Sequence, residues 1–175
     1  DTPASYEYDI APCLWDLSTG KIISTPNLPT RDMTHVNQHQ NAFVDISPDG
    51  RYILGRMDFS YVSPPSLFCY VYDRTTSSYS VIGFDEHPID DWTPKAEGLL
   101  FTEFPAMSPN GVWVTGTAYM SKATTGSAFS SEYRVAFRYN VKTKAFEVYD
   151  GEEDKDIYGA SVDNEGKVYG ATPSG

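Results

Sequence analysis

Short apolar stretches alternate with tight polar turns along this chain, and the same stretch returns. Phe43-Val44-Asp45-Ile46-Ser47-Pro48-Asp49-Gly50-Arg51-Tyr52-Ile53-Leu54-Gly55 recurs as Phe104-Pro105-Ala106-Met107-Ser108-Pro109-Asn110-Gly111-Val112-Trp113-Val114-Thr115-Gly116. A weaker, shortened copy runs from Ala160 to Gly170 around Asn164-Glu165-Gly166. A second unit alternates with the first: Leu14-Trp15-Asp16 matches Val71-Tyr72-Asp73 and Arg138-Tyr139-Asn140. Each unit reads as a hairpin. Pro presets φ, then Asx and Gly tolerate positive φ between two apolar strands. In the second unit an Asx residue closes an aromatic strand, and small polar residues fill the turn.

Hairpin plus hairpin gives four strands, A-B-C-D, at a repeat spacing of roughly 55–67 residues. Such a sheet cannot cover both of its faces alone, so neighbours must stack on it. The pattern predicts an all-β fold, a β-propeller-like array of four-stranded antiparallel blades, with a β-sandwich as the competing architecture. The expected layout is a half blade at 8–25, blades at 42–84 and 102–150, and a half blade at 157–172. Joining the terminal halves gives three blades, below the ~4 that a closed propeller needs. The expectation is therefore a part of a longer chain, or two copies that complete one ring. The polar start Asp1-Thr2-Pro3-Ala4-Ser5 fits a mature, trimmed or excised piece.

At these residues the chain resembles two known repeat families. Leu14-Trp15-Asp16-Leu17-Ser18-Thr19-Gly20-Lys21 and the Ser-Pro-Asp-Gly turn resemble WD-repeat propellers, although no Gly-His dipeptide is present. The chain is more similar to the HAF-type repeat of bacterial exported proteins. That repeat pairs an Ile-Ser-x-Asp-Gly hairpin with an aromatic Ala-Phe-x-Trp-Asp hairpin. Ile46 to Gly55 and Met107 to Gly116 carry the first half. Leu14-Trp15-Asp16, Val71-Tyr72-Asp73 and Ala136-Phe137-Arg138-Tyr139-Asn140 carry the second, with Tyr for Trp twice and Asn for Asp once. The resemblance implies an exported bacterial protein of the cell surface or periplasm, and it speaks to fold more than to activity.

Composition narrows the partners. With 13 Lys and Arg against 24 Asp and Glu, the 175-residue chain carries a net charge of −11. That opposes nucleic-acid binding, which rests on cationic side chains displacing counterions, and it disfavours an anionic membrane surface. No apolar run approaches the ~20 residues of a membrane-spanning helix, so no membrane insertion by this segment is expected. Cys13 and Cys69 lie in strand-like text and are expected to be buried free thiols.

The tight A-B and C-D turns should share one edge of the sheets. The long, dissimilar connections 24–42 and 84–103 (D-A) and 58–66 and 118–133 (B-C) should share the other. Long variable loops on a rigid scaffold are where binding concentrates. The candidate ligand-binding residues there are Tyr61, Asp85, Glu86, His87, Asp90, Asp91 and Trp92. Phe59, Tyr61 and Trp92 would stack on a sugar or clamp a peptide, or else plug their loops onto the blade. His35 and His39 lack the Glu of a zincin helix, and Asp85 to Asp91 lacks EF-hand spacing, so no metal and no cofactor are expected. Asp150 to Asp154 reads as a solvated charge run, and Trp15, Tyr72 and Tyr139 read as blade core.

No Gly-x-Ser-x-Gly elbow, P-loop or dinucleotide fingerprint is present. Carboxylate pairs are plentiful, yet nothing selects a glycosidase dyad. The expected function is a non-catalytic binding or assembly scaffold for a protein or glycan partner. The alternative is the propeller portion of a hydrolase, a peptidase or glycan-active enzyme whose catalytic residues lie outside these residues.

Overall fold

The computed structural model describes residues 12–26, 28, 40–59, 66–85, 93–122, 131–149 and 156–173. Among them every regular element is a β-strand. A first hairpin pairs β1 (Leu14–Asp16) with β2 (Lys21–Ile23). A four-stranded antiparallel sheet follows in the order β3 (Gln40–Ile46), β4 (Tyr52–Phe59), β5 (Ser66–Asp73), β6 (Ser78–Val81). A short hairpin joins β7 (Phe84–Asp85) to β8 (Thr93–Pro94). The second four-stranded sheet runs β9 (Leu99–Met107), β10 (Trp113–Lys122), β11 (Ser131–Asn140), β12 (Phe146–Tyr149). A last hairpin pairs β13 (Tyr158–Val162) with β14 (Val168–Ala171).

Local chemistry explains the turns. Asp49 Oδ1 accepts from Arg51 N (3.0 Å) and Ser47 Oγ (2.6 Å). Asn110 Oδ1 accepts from Val112 N (3.1 Å) and Ser108 Oγ (2.7 Å), and Asp163 Oδ1 accepts from Glu165 N (3.1 Å) and Lys167 N (2.8 Å). The other hairpins use one acceptor in the same way: Asp16 Oδ1 for Ser18 N, Asp73 Oδ1 for Thr75 N, Asn140 Oδ1 for Lys142 N. Asn serves where Asp stands elsewhere because the turn needs only a side-chain oxygen.

The sheets lie face on face, and named contacts fix their order. Cys69 N, on the central strand β5, donates to Thr102 Oγ1 of β9 at 3.1 Å. The Gly111 turn of the second sheet lies against Ser47 of the first. Asn110 N donates to Asn164 Oδ1 at 2.9 Å, which sets the third turn beside the second. β1–β2 lies behind the first sheet, where Tyr72 Oη donates to Pro26 O at 2.8 Å and Leu14 packs against the core. Because of this stacking, both faces of β5 are buried: Phe68, Cys69, Tyr70, Val71 and Tyr72 are all within 5% of full burial.

Three expectations are corrected. The connections are shorter than 84–103 and 118–133: β7, β8 and the start of β9 occupy the first, while 118–122 and 131–133 belong to β10 and β11. Alternating burial extends the ladder there, since Ala118 and Met120 face inward with Val135. Trp15 is not core. Tyr72 and Tyr139 are buried, but Trp15 is 62% exposed because none of the described sheets covers its side of β1–β2. Cys13 is exposed for the same reason, and only Cys69 is buried; both thiols are free.

One geometric device recurs between the first two strands of each sheet. Gly55 and Gly116 sit opposite register shifts in β3 and β9, and a shift at Gly159/Ser161 lies beside Gly170. A Cβ on Gly55 would overlap the buried Tyr70 ring, and one on Gly116 would meet Glu103 O at 2.6 Å. Gly20 has positive φ (65°) but nothing within 4 Å of such a Cβ. Gly55→Ala is therefore expected to lose about 1–3 kcal/mol through overpacking in addition to any backbone effect. Gly20→Ala is expected to lose only the ~1–2 kcal/mol of a left-handed non-glycine residue. Urea denaturation of the two variants checks that order.

Candidate functional site

The strands that flank the long connections end on paired residues. Phe59 pairs with Ser66, Lys122 with Ser131, and Asp85 with Thr93. Segments 60–65, 123–130 and 86–92 therefore start and end on paired strand residues. Of the sequence-predicted site residues, Tyr61, Glu86, His87, Asp90, Asp91 and Trp92 lie outside the described residues, as do His35 and His39. Asp85 is described: it is exposed on β7, and its carboxylate sits 3.6 Å from Lys95 Nζ. Phe59 is the last residue of β4. No grouping of three or more His, Cys, Asp or Glu that could hold a metal ion is present among the described residues.

The fold also assembles a polar cluster that no sequence motif announces. Tyr119 and Arg134 face each other across β10 and β11. The Arg134 guanidinium lies over the Tyr119 ring (4.7 Å) and near that of Tyr158 (5.8 Å). Tyr119 Oη donates to the Glu103 carboxylate on β9, and Phe101 stacks on Tyr119 with centroids 4.1 Å apart. Asp156 accepts from Arg134 twice, from the backbone N and from Nη1, both at 2.9 Å. Ile157 N returns a hydrogen bond to Arg134 O at 2.8 Å.

Electrostatics follow this geometry. Burial pushes the Tyr119 phenol above its ordinary range, and the Glu103 carboxylate reinforces the effect while Arg134 opposes it. Burial works against ionised Asp156, yet the backbone N–H and guanidinium of Arg134 outweigh it and hold the carboxyl below its usual value. Hydrogen bonding with Tyr119, then with Asp156, raises Arg134. Each polar side chain of the cluster thus has a hydrogen-bond partner within it. The cluster acts as a brace that ties the residues entering β13 to β11.

Sequence reading missed this brace because its members are separated by long stretches of chain, with Glu103, Tyr119 and Arg134 on three different strands and Asp156 just before a fourth. The only local signal was the alternation that extends β10 and β11. The pair is half-exposed, so its direct energy is at most about 1 kcal/mol. Its effect should be regional: Asp156→Ala is expected to lower amide hydrogen-exchange protection in 158–162 while 52–57 and 68–72 keep theirs.

The described cysteine chemistry is equally specific. Burial drives the Cys69 thiol up from 9.0 to about 12, which makes it a poor nucleophile at neutral pH. Iodoacetamide is expected to modify one thiol in the native chain, Cys13, and a second only after unfolding. A raised native value also sets a direction for stability. Below pH 9 both states keep the thiol protonated. Between pH 9 and 12 the unfolded chain releases a proton that the native chain retains, so stability falls as pH rises. Cys69→Ala should flatten that slope in urea titrations.

No family model, curated protein or solved structure matches the chain.

Proposed function

We propose that the chain is a β-propeller segment that serves as a non-catalytic binding or assembly scaffold in an exported bacterial protein of the cell surface or periplasm. Its connections 60–65, 86–92 and 123–130 present the contacts, and its partner is a protein or a glycan. The observation that carries this reading is the direction of stacking. The first strand of each sheet lies against the central strands of the sheet before it: Thr102 of β9 on Cys69 of β5, and Gly159 of β13 on Thr115 and Gly116 of β10. Turns also stack on turns along one edge, Gly111 on Ser47 and Asn110 on Asn164. Repeated face-on-face stacking in one direction is how blades follow one another around an axis. Export and the HAF-type assignment rest on the sequence resemblance given above.

Separating the short turns from the long connections supports the binding role. The turns are held by their own side chains and tolerate little change. The three dissimilar segments are each flanked by paired strand residues, which lets sequence vary in them without disturbing the ladders.

The test is binding to arrayed glycans and extended peptides, comparing the native chain with one whose residues 86–92 are replaced by a Gly-Ser linker of equal length. Loss of binding with an unchanged melting temperature is expected. Binding that survives replacement of all three connections would overturn the reading. Turnover of any arrayed compound would favour the hydrolase alternative.

A further inference from the structure

The Ser-Pro-Asp-Gly turn of the first sheet and the Ser-Pro-Asn-Gly turn of the second differ by a single chemical group. Asp49 precedes Gly50 in one, and Asn110 precedes Gly111 in the other. Both side chains use Oδ1 to close their own turn. The remaining side-chain atom of Asn110 is a donor. Its Nδ2 gives a hydrogen bond to Asn164 O at 3.2 Å, while Asn164 Oδ1 receives the Asn110 amide at 2.9 Å. The pair thus clasps the third turn to the second. A carboxylate at 110 would close its own turn as Asp49 does, but it would set an acceptor against the Asn164 carbonyl.

Asn110 is also the only asparagine in the chain that is followed by glycine. In such a pair no side chain shields the glycine nitrogen, which attacks the asparagine Cγ. A bond forms between Gly111 N and Asn110 Cγ, the carboxamide nitrogen leaves as ammonia, and a cyclic succinimide results. Water then opens either ring carbonyl. One opening gives aspartate; the other gives isoaspartate, which carries the main chain through Cβ and Cγ. Water is the only co-reactant.

The folded turn withholds both reacting groups. Gly111 N donates to Ser108 O at 2.8 Å, so the attacking nitrogen is committed and keeps its proton. The carboxamide is fixed at both atoms, Oδ1 by Ser108 Oγ (2.7 Å) and Val112 N (3.1 Å), and Nδ2 by Asn164 O. Gly111 is itself buried against the first turn, where a Cβ would lie 2.5 Å from the Ser47 Cβ. Reaction therefore requires the turn to open, which a stacked sheet permits only rarely.

We propose that Asn110 is a deamidation site masked by the folded stack, and that its conversion to aspartate or isoaspartate unclasps the last hairpin from the second sheet. The two products act differently. Aspartate keeps the second turn, as Asp49 keeps the first, but gives up the Nδ2 bond. Isoaspartate lengthens the main chain and disturbs the turn as well. The third turn is then left with Gly166, whose carbonyl accepts from Arg138 Nη1 at 3.2 Å and at which a Cβ would meet the Trp113 ring at 2.7 Å. At the other end of the hairpin Asp156 still holds Arg134. A transient opening of the turn is in this way converted into a lasting loosening of β13–β14.

Peptide mapping by mass spectrometry reads the site directly in the 175-residue chain, held in mildly alkaline buffer with and without guanidinium chloride. Conversion at residue 110 is expected to be at least ~10-fold slower in the native chain than in the denatured one. A synthetic Ser-Pro-Asn-Gly-Val peptide in the same denaturant should match the denatured rate. Equal rates in native and denatured chain overturn the masking, and absence of conversion in the denatured chain overturns the site. Asn110→Asp supplies the modified side chain without the chemistry. In that variant amide hydrogen exchange is expected to quicken across 163–168 while 108–113 keeps its native protection. Unchanged exchange at 163–168 overturns the clasp. Protection lost across both turns overturns the division between turn closure by Oδ1 and clasping by Nδ2.

Discussion

The central strand β5 is buried on both faces, and that one condition governs the rest of the molecule. A strand with Phe68, Tyr70 and Tyr72 on one side and Cys69 and Val71 on the other cannot be satisfied by its own sheet. Hydrogen bonding within the ladder takes care of the backbone, but each face needs another apolar layer. The fold answers by stacking, with β9 on one side of β5 and the Pro26 carbonyl that follows β2 reaching Tyr72 on the other. The same requirement applies to β11, whose Phe137 and Tyr139 are buried against the first sheet.

Close stacking in turn demands small residues where backbones and rings approach. Gly55 lies under the Tyr70 ring, Gly116 under Phe137, and Gly159 against the Gly116 carbonyl. Each A-B pair also carries a bulge at this point, which sharpens local twist and lets successive sheets rotate relative to one another. Glycine, bulge and ring form one unit, and its recurrence gives the stack its regular direction.

Polar groups inside this arrangement are held by partners from distant parts of the chain. Thr102 Oγ1 receives the Cys69 amide, and Thr115 Oγ1 donates to Phe137 O at 2.7 Å. The brace of Glu103, Tyr119, Arg134 and Asp156 is held together in the same manner. Its pKa directions record that geometry: the phenol is desolvated, and the carboxylate of Asp156 is kept ionised by Arg134. The exposed surfaces tell the complementary story, since Trp15 and Ile22 have the chemistry of stacked residues without a layer above them.

The turns were legible in the sequence because their hydrogen bonds join residues two to five apart. Asp49, Asn110 and Asp163 each fold their own neighbours, as do Asp16, Asp73 and Asn140, so the four-strand grouping followed from local chemistry. The candidate ligand residues were legible only as loop composition; Asp85 proved to lie on the two-residue strand β7, too short for any period to reveal. What the sequence could not decide was which repeated aromatic would be covered. Trp15, Tyr72 and Tyr139 occupy one position in one pattern, yet burial is a property of the neighbouring layer and not of the strand that carries the ring. Local pattern therefore determined the hairpins and their register, while tertiary stacking alone decided which faces became core and which remained open edges.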